Sequence, residues 1–501
     1  MKNKINMQIF KFASFLSVSS VVGFGLSICI AKIFGTSRSI EIYFAAIILI
    51  YNVDRFFSLG SLTEIFIPKY VRIKEKYSEE EAMKFFSSIL TIFLILGVLA
   101  TLILFSYSEY LIERIIKNFS VEEKDQVIFL FKILLIILPF KLFNGLSMIP
   151  LRSNEKYNVH EKIGIILKVL TILFLIFLPK KYSLDILIYS LILSALLKFI
   201  VILILFNLYN YKFNFKLIRN PYFNIEIFKT IIVSFSESVV YVFSYLLLLS
   251  ALTGMSQGIL AIYQYVSQIF GNLYPIIANS LNTIFLTEIS KKNNQKNKTI
   301  VKNFLSKILF LSLIITIFAA TSSKDFLTII WGSNKFDSNS IHIAYYLLML
   351  NIGSMLITLT DNFYQKFNIA KDLYIAQLIG KNIILLFSSI LILKYYEQGY
   401  YILIFIGIAK AISSLIFSIT LNYINNKDNF CFYRTKEIIK YLILTFLTIV
   451  LIICLFNNMN IFELNVVIIF LFKILLTFIL IYLLNILFKV FDIKKLFFKN
   501  D

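Results

Sequence analysis

The sequence predicts an all-α polytopic membrane protein. Of its 501 residues, 59% are hydrophobic and only 15% are charged. The mean hydropathy of +0.83 is far above that of a soluble domain. Apolar runs long enough to cross ~30 Å of hydrocarbon as helices recur along the chain, and the alternating pattern of membrane β-strands is absent. We therefore expect a bundle of transmembrane helices.

The apolar runs predict about 14 transmembrane helices, with boundaries good to about 2–4 residues. The first follows a short basic N-terminus and lacks a small-residue cleavage motif, so we interpret it as an uncleaved span rather than a signal peptide. The expected spans are 9–34, 40–68, 84–107, 126–150, 161–179, 184–208, 227–252, 258–289, 300–320, 340–365, 372–395, 399–424, 436–456 and 463–488.

Basic residues predict the orientation of the chain. With a cytoplasmic N-terminus, the loops that alternate onto the cytoplasmic side hold most of the Lys and Arg outside the spans. We therefore expect both termini in the cytoplasm and the protein in the bacterial cytoplasmic (inner) membrane. This topology, with contact to an anionic leaflet, also accounts for the net charge of +21. No nucleic-acid partner is needed to explain it.

Two internal similarities predict paired lobes. EKYNVHEKIGI at 155–165 resembles QKFNIAKDLYI at 365–375, and SLTEIF at 61–66 resembles SLNTIF at 280–285, at an offset of about 210–220 residues. Two six-helix lobes around a central cavity, followed by two C-terminal helices, would be the usual plan of an alternating-access carrier. The corresponding ranges are 1–208 (spans 1–6), 209–424 (spans 7–12) and 425–501 (two extra spans and a basic tail).

The sequence lacks the usual catalytic and metal-binding motifs. It has no P-loop, HExxH, GxSxG or Cys and His cluster. Cys29, Cys431 and Cys454 are scattered, and His160 and His342 lie near span ends with no second ligand close in sequence. We therefore expect neither an enzyme nor a cofactor or metal site.

The second expected span carries an Asp54-Arg55 pair near its middle and is closed by Pro68. A charged side chain at this depth costs ~3 kcal/mol or more against lipid, so it normally faces protein or water. We interpret Arg55 as a cation that lines a cavity for an anionic headgroup. The alternative is that Asp54 and Arg55 neutralise each other or neighbouring helices structurally.

Further charged residues within the expected spans are mostly cations. A cavity lined by ammonium groups and a guanidinium suits a phosphate or diphosphate. For each lysine, the alternative is that its side chain snorkels to a membrane interface. The mid-span lysines are Lys141, Lys168, Lys198, Lys381, Lys410 and Lys473, and the acids are Glu64, Glu237 and Asp361. As substrate-binding residues we select Arg55, Lys141, Lys168 and Lys381, and for coupling or charge balance Asp54, Glu237 and Asp361.

Five stretches also carry a family resemblance. They are GFGLSICIAKIFG at 23–35, EIYFAA at 41–46, DRFFSLGSLTEIFIPKY at 54–70, LPFKLFNGLSMIPLRSNEKYNVHEKIGIILK at 138–168 and AIYQYVSQIFGNLYPIIANSLNTIFLTEISK at 261–291. They resemble the MurJ/MviN group of lipid-linked saccharide flippases in the multidrug/oligosaccharidyl-lipid/polysaccharide (MOP) exporter superfamily. The likeness in span plan extends over the whole chain.

The chain departs from the charge pattern of that group at three places. Leu26-Ser27 stands where the group usually has an Arg-Asp pair, Val266-Ser267 stands where it has an Asp-Arg pair, and Asp54 replaces the first arginine of the second-span pair. Of these arginines only Arg55 remains, and the lysines at 141, 168 or 381 could supply the lost charge. The substrate can therefore be an O-antigen or capsule repeat unit as well as a lipid II-like peptidoglycan precursor.

The resemblance implies a flippase that moves a polyprenyl-diphosphate-linked saccharide across the membrane by alternating access, with the last two helices offering a groove for the lipid tail. Its partners would be that substrate, membrane lipids and proteins of cell-envelope polysaccharide assembly. The alternative is an H⁺- or Na⁺-coupled multidrug antiporter, with Glu237 or Asp361 as the coupling carboxylate. A structural scaffold fits poorly with so many charges inside the spans.

Overall fold

The computed structural model consists of α-helices, and no β-strand occurs in the residues it describes. Those residues are 2–57, 59–153, 159–179, 183–209, 211, 225–272, 313–315, 317–318, 321–332, 336–353, 357, 360–361, 364, 373–425, 443–444, 447–452 and 466–488.

Within residues 2–272, short segments separate most of the helices that the structure describes. A 3₁₀ turn at Tyr396–Gln398 joins two later helices. The helices are α1 (Lys2–Phe34), α2 (Arg38–Phe56), α3 (Leu59–Lys76), α4 (Glu79–Ile115), α5 (Val121–Leu135), α6 (Leu138–Leu146), α7 (Met148–Ser153), α8 (Val159–Phe177), α9 (Ser183–Leu208), α10 (Ile225–Gly254), α11 (259–272), α12 (321–331), α13 (Ser338–Gly353), α14 (Tyr374–Tyr395), α15 (Tyr401–Asn425) and α16 (Val466–Phe488).

Six of the described helices are long and apolar enough to cross a membrane, and a seventh span results if the bent pair formed by α5 with α6 and α7 is counted. The six are α1, α4, α9, α14, α15 and α16. The expected spans 300–320 and 436–456, and the end of 258–289, lie largely outside the described residues. The all-helical membrane fold agrees with the sequence, and the count of about 14 stays a prediction.

The chain divides into two compact units. One comprises Met1–Ala261 and Ser389–Glu397, and the other comprises Ile262–Ser388 and Gln398–Asp501. The predicted lobes 1–208 and 209–424 stay a prediction. Of the repeat segments that motivated them, 61–66 lies within the described residues, 155–165 and 365–375 lie partly outside them, and 280–285 lies wholly outside.

The second span differs from the single helix expected over 40–68. Helix α2 ends at Phe56 and α3 begins at Leu59, and α3 then runs through Pro68 to Lys76. The break falls where Ser58 and Gly60 follow one another closely, and both residue types have weak helix preference. Pro68 therefore does not close the helix as expected, and Arg55 lies in the last turn of α2 instead of the middle of a long helix.

The fourth span is bent by 43° between α5 and the following helices. Helix α5 begins with a capping box, in which Ser120 accepts the N–H of Glu123 and the Glu123 side chain accepts the N–H of Ser120. Pro139 lies in the first turn of α6, where its missing N–H removes a bond that a continuous helix would need. The new direction turns Lys141 and Asn144 of α6 toward the cavity described below.

The start of α2 is fixed by the acid of the EIYFAA motif. Glu41 is 1% exposed, accepts the backbone N–H of Gly258 at 2.8 Å and forms an ion pair with Arg38 at 3.0 Å. Gly258 has φ +94°, which a side chain would strain. The carboxylate thus lies at the N-terminus of α11, where the helix dipole favours negative charge.

One hydrophobic cluster of the first unit lies among α3, α4, α6, α7 and α9. It is rich in aromatic side chains, including Phe66, Phe85, Phe86 and Phe206, which are at most 1% exposed. Such rings bury large apolar areas and pack edge to face, as Phe66 and Phe85 do with centroids 6.0 Å apart. This packing fixes α6 and α9 relative to one another, and these two helices form much of the cavity wall.

Candidate functional site

A cavity of about 560 Å³ lies within the first unit. Its wall is formed by α2, α6, α7 and α9. Among the described residues that line it are three cations and one acid, which leave a net formal charge of two positive units. The residues that carry its chemistry are Tyr51, Asp54, Arg55, Lys141, Asn144 and Lys198.

Arg55 lies in the last turn of α2, where backbone carbonyls without helical partners favour a cation. Its guanidinium carbon lies 4.7 Å from the centroid of the Tyr241 ring of α10. A cation over an aromatic face is stabilised by the ring quadrupole, more so in a site that excludes water. The end of α2 and the Tyr241 ring therefore hold the guanidinium at the cavity wall.

Lys141 of α6 forms an ion pair with Asp54 of α2, with Nζ 2.5 Å from Oδ2. The same ammonium lies 4.9 Å from the centroid of the Tyr51 ring. Asp54 and Arg55 are consecutive on a helix, and consecutive helical side chains do not face each other. The ion-pair partner of Asp54 is thus a residue 87 positions away in sequence, on another helix.

Asn144 and Lys198 join the cavity from α6 and α9. Asn144 is 5% exposed and its amide N–H donates to the carbonyl of Ala195 at 2.9 Å, which ties α6 to α9. Lys198 lies three residues after Ala195 and therefore on the same side of α9. Its Nζ is 3.9 Å from where a Cβ on Gly164 of α8 would lie. Lys198 is a mid-span lysine outside the four predicted substrate-binding residues. Its spacing from Ser194 and Leu191 nevertheless places it on the same face of α9 as these two residues.

Lys168 is not among the residues that line this cavity. Its Nζ donates to the backbone carbonyl and to the hydroxyl of Ser19, both at 3.1 Å, and so joins α8 to α1. A lysine held by a carbonyl and a hydroxyl of a neighbouring helix is a common way to satisfy an ammonium within a helix bundle. Its predicted role in headgroup binding stays a prediction.

Lys381 and Asp361 belong to the second unit. Their charged atoms lie 3.3 Å apart, and the Asp361 carboxylate also accepts the hydroxyls of Ser414 at 2.8 Å and Ser418 at 2.5 Å. Gln377 in turn donates to Ser418 at 2.8 Å. Asp361 is 5% exposed. These contacts satisfy a buried carboxylate, and Lys381 supplies its counter-charge.

Two further charged residues of the expected spans are Lys473 and Glu237. Lys473 of α16 pairs with Asp325 of α12 at 2.6 Å, which joins these two helices within the second unit. The side chain of Glu237 lies outside the described residues. Among the described residues no group of three or more His, Cys, Asp or Glu could hold a metal ion.

The arrangement suits an anion with several oxygens. An arginine presents a planar fork of donors, and two lysines supply mobile point charges on other helices. The guanidinium of Arg55 lies over the Tyr241 ring, and the ammonium of Lys141 lies over the Tyr51 ring.

Comparison with known families gives one match that spans most of the chain. The family model described as "Lipid II flippase MurJ" matches residues 30–478. That range includes every residue lining the cavity. No curated protein sequence matches the chain closely enough to be counted as a relative.

Several solved transporter structures have a fold similar to that of this chain. A lipid II flippase MurJ in an inward closed conformation has a TM-score of 0.79 and 20% identity, covering 96% of this chain and 99% of its own. An inward-facing multidrug resistance MATE family transporter of the MOP superfamily has a TM-score of 0.62 and 14% identity, covering 84% and 98%. A MOP superfamily transporter from Pyrococcus furiosus, described as having a binding pocket of reverse polarity, has a TM-score of 0.60 and 14% identity, covering 84% and 95%. At these identities the likeness shows a shared fold.

Replacing Lys141 by Met should lower the amount of folded protein in the membrane, because the Asp54 carboxylate would lose its ammonium. Breaking a fully buried pair costs ~3–5 kcal/mol, and since both side chains are about a fifth exposed we expect ~1–3 kcal/mol here. The measurement is membrane abundance and unfolding temperature of the purified protein.

Adding Asp54→Asn to Lys141→Met should recover most of the loss. Lys132→Met is the matched control, because Lys132 pairs with Glu109 at 2.9 Å on an exposed surface. Equal stability of the Lys141→Met and wild-type proteins would contradict the ion pair.

Proposed function

The chain belongs to the MurJ family of lipid II flippases, and we propose that it carries a polyprenyl-diphosphate-linked saccharide across the bacterial cytoplasmic membrane by alternating access. Such a carrier makes and breaks no covalent bond, so the proposal is a transporter and not an enzyme. The two-lobed plan with about 14 spans, and a groove for the lipid tail at the last two helices, belong to the same proposal.

The observation that carries the proposal is the charge of the cavity. A diphosphate between a lipid and a sugar bears about two negative charges, and the described wall has a net formal charge of two positive units. Arg55 would bind phosphate oxygens with its fork of N–H donors, while Lys141 and Lys198 would contribute point charges from two other helices. Charge matching of this kind removes the cost of taking a bare diphosphate into a membrane protein.

The saccharide attached to the diphosphate is the finer part of the proposal. The first span has Leu26-Ser27 where the resembled group has a charged pair, and the Ser27 hydroxyl donates to the carbonyl of Gly23 at 3.1 Å. Val266 is 0% exposed, so neither position offers a charge to a headgroup. We therefore propose a lipid-linked repeat unit of O-antigen or capsule type, or a lipid II-like precursor whose headgroup is held by Arg55 and lysines.

The membrane potential would assist such transport. An inside-negative potential favours outward movement of negative charge by ~2.3 kcal/mol per charge per 100 mV. Cations that move with the site reduce this gain, because they carry opposite charge in the same direction. Membrane lipids and cell-envelope polysaccharide assembly proteins are the proposed partners.

A second candidate function is cation-coupled drug antiport. The observation that favours it is the buried Asp361 carboxylate, held by Ser414 and Ser418 next to Lys381. A coupling carboxylate must be able to exchange its cation during the cycle. The ammonium of Lys381 already balances the Asp361 carboxylate, and as part of the chain it cannot be released as a coupling ion would be. We therefore propose charge balance as the role of Asp361.

Arg55→Ala should abolish most transport, while Arg55→Lys should keep part of it. Lysine retains the charge and loses the fork, which predicts a decrease of about tenfold for Arg55→Lys and about a hundredfold for Arg55→Ala from the loss of ~1.4 and ~3 kcal/mol of charge-assisted hydrogen bonding. Translocation of the lipid-linked saccharide and membrane abundance are measured together. Lys132→Ala, on the exposed surface, is the control and should transport normally. Full transport by an abundant Arg55→Ala variant would overturn the site.

Replacing both Asp361 by Asn and Lys381 by Met should leave transport largely intact, since the pair is removed without stranding either charge. Asp361→Asn alone is expected to reduce abundance. Glu237→Gln provides a parallel test of the other acid. If the double variant reaches normal abundance and transports nothing, the coupling role and the antiporter become the better account.

Orientation is tested by cysteine labelling in a chain without its own cysteines. Single cysteines placed after Asp501 and within the loop between α4 and α5 should differ in access to a membrane-impermeant reagent. We expect the loop position to be labelled from outside and the C-terminal position only after permeabilisation. External labelling of the C-terminus would reject the proposed topology.

A further inference from the structure

Asp54 is an acid in a cavity wall whose other described charges are cations. Its Oδ2 lies 2.5 Å from Nζ of Lys141, and both residues line the cavity. We propose that Asp54 is an internal competitor of the substrate, holding Lys141 before the diphosphate binds and giving it up when the diphosphate arrives. The inference rests on the proposed function and concerns what sets the affinity of the cavity for the diphosphate.

The competition follows from the chemistry of the groups. A carboxylate and a phosphate offer the same kind of anionic oxygen, and an ammonium has three donors that accept either. Lysine binds as a point charge at the end of a flexible stem, so it exchanges partners without a fixed geometry. A diphosphate has more charge and more oxygens than one carboxylate, and it is therefore able to take Lys141 from Asp54.

The geometry leaves the pair open to exchange. The side chains of Lys141 and Asp54 are 21% and 22% exposed, and both line the cavity. The ammonium rests 4.9 Å from the Tyr51 ring, and Tyr51 and Asp54 are three residues apart on one face of α2. Lys141 is thus docked against a single face of α2. Turning its side chain toward a ligand requires rotation about its own bonds and no movement of a helix.

The Asp54–Lys141 ion pair would lower the affinity for the substrate. The pair must break before Lys141 can bind the diphosphate, and breaking it costs part of the binding free energy. A carrier must bind strongly enough to load and weakly enough to unload, as a channel site must for an ion. Asp54 would therefore be an affinity-setting residue, and the Asp54–Lys141 contact would reform as the substrate leaves.

The test measures binding of farnesyl diphosphate, a short polyprenyl diphosphate without a sugar, to the purified full-length protein. Asp54→Asn should bind it about tenfold more tightly than wild type and release it more slowly, whereas Asp54→Glu should stay close to wild type. In a Lys141→Met background, the gain from Asp54→Asn should shrink below about twofold, because the residue that is competed for is absent. Glu109→Gln, at the surface pair with Lys132, is the control and should not change the affinity.

Several results would overturn the inference. Weaker binding by Asp54→Asn would mean that Asp54 orients Lys141 for the substrate. A tenfold gain that persists without Lys141 would mean simple long-range repulsion. The slower release of Asp54→Asn is a readout that needs no Lys141 variant, and an unchanged release rate would also count against competition. Failure of the wild-type protein to bind farnesyl diphosphate would instead overturn the proposed function itself.

Discussion

The cost of keeping charge inside a membrane-spanning bundle governs this structure. A cation at bilayer depth is stable only when it is partnered, and four of the described mid-span cations meet that condition in different ways. Lys141 and Lys473 pair with acids on other helices. Lys168 uses the carbonyl and hydroxyl of Ser19. Arg55 lies at a helix end over the Tyr241 ring.

This constraint separates cations that hold the bundle together from cations that serve a ligand. Lys168 and Lys473 join helices to one another, and their contacts have no evident connection to the described cavity. Arg55, Lys141 and Lys198 come from three helices to one cavity wall, where their combined charge exceeds that of the single acid. We propose that this wall serves an anionic ligand, because three cations and one acid are brought together there.

Much of this could be predicted from the sequence. Apolar length and composition identified a helical membrane protein, and the cost of a cation within an apolar span predicted that Arg55 faces a cavity. Lys141 was selected for the same reason. These predictions depend only on the local sequence and on the hydrocarbon that surrounds a membrane span. They do not require knowledge of which helices are in contact.

The rest depends on contacts between distant parts of the chain. The sequence could not show that Asp54 meets Lys141 across 87 positions, nor that Lys168 faces α1 and Lys198 faces the cavity. A lysine on an apolar helix looks the same in sequence whichever neighbour it meets. The break between α2 and α3 was missed because apolar residues continue across it, although Ser58 and Gly60 mark a weak point.

The most direct test of the central claim is translocation by the purified protein in lipid vesicles. A fluorescent polyprenyl-diphosphate-linked disaccharide is placed in both leaflets, and the fraction reached by a membrane-impermeant reductant is followed over time. We predict that the protected inner-leaflet fraction becomes accessible at a rate proportional to the amount of protein. No movement of this lipid, together with uptake of a cationic drug against an imposed H⁺ or Na⁺ gradient, would contradict the account.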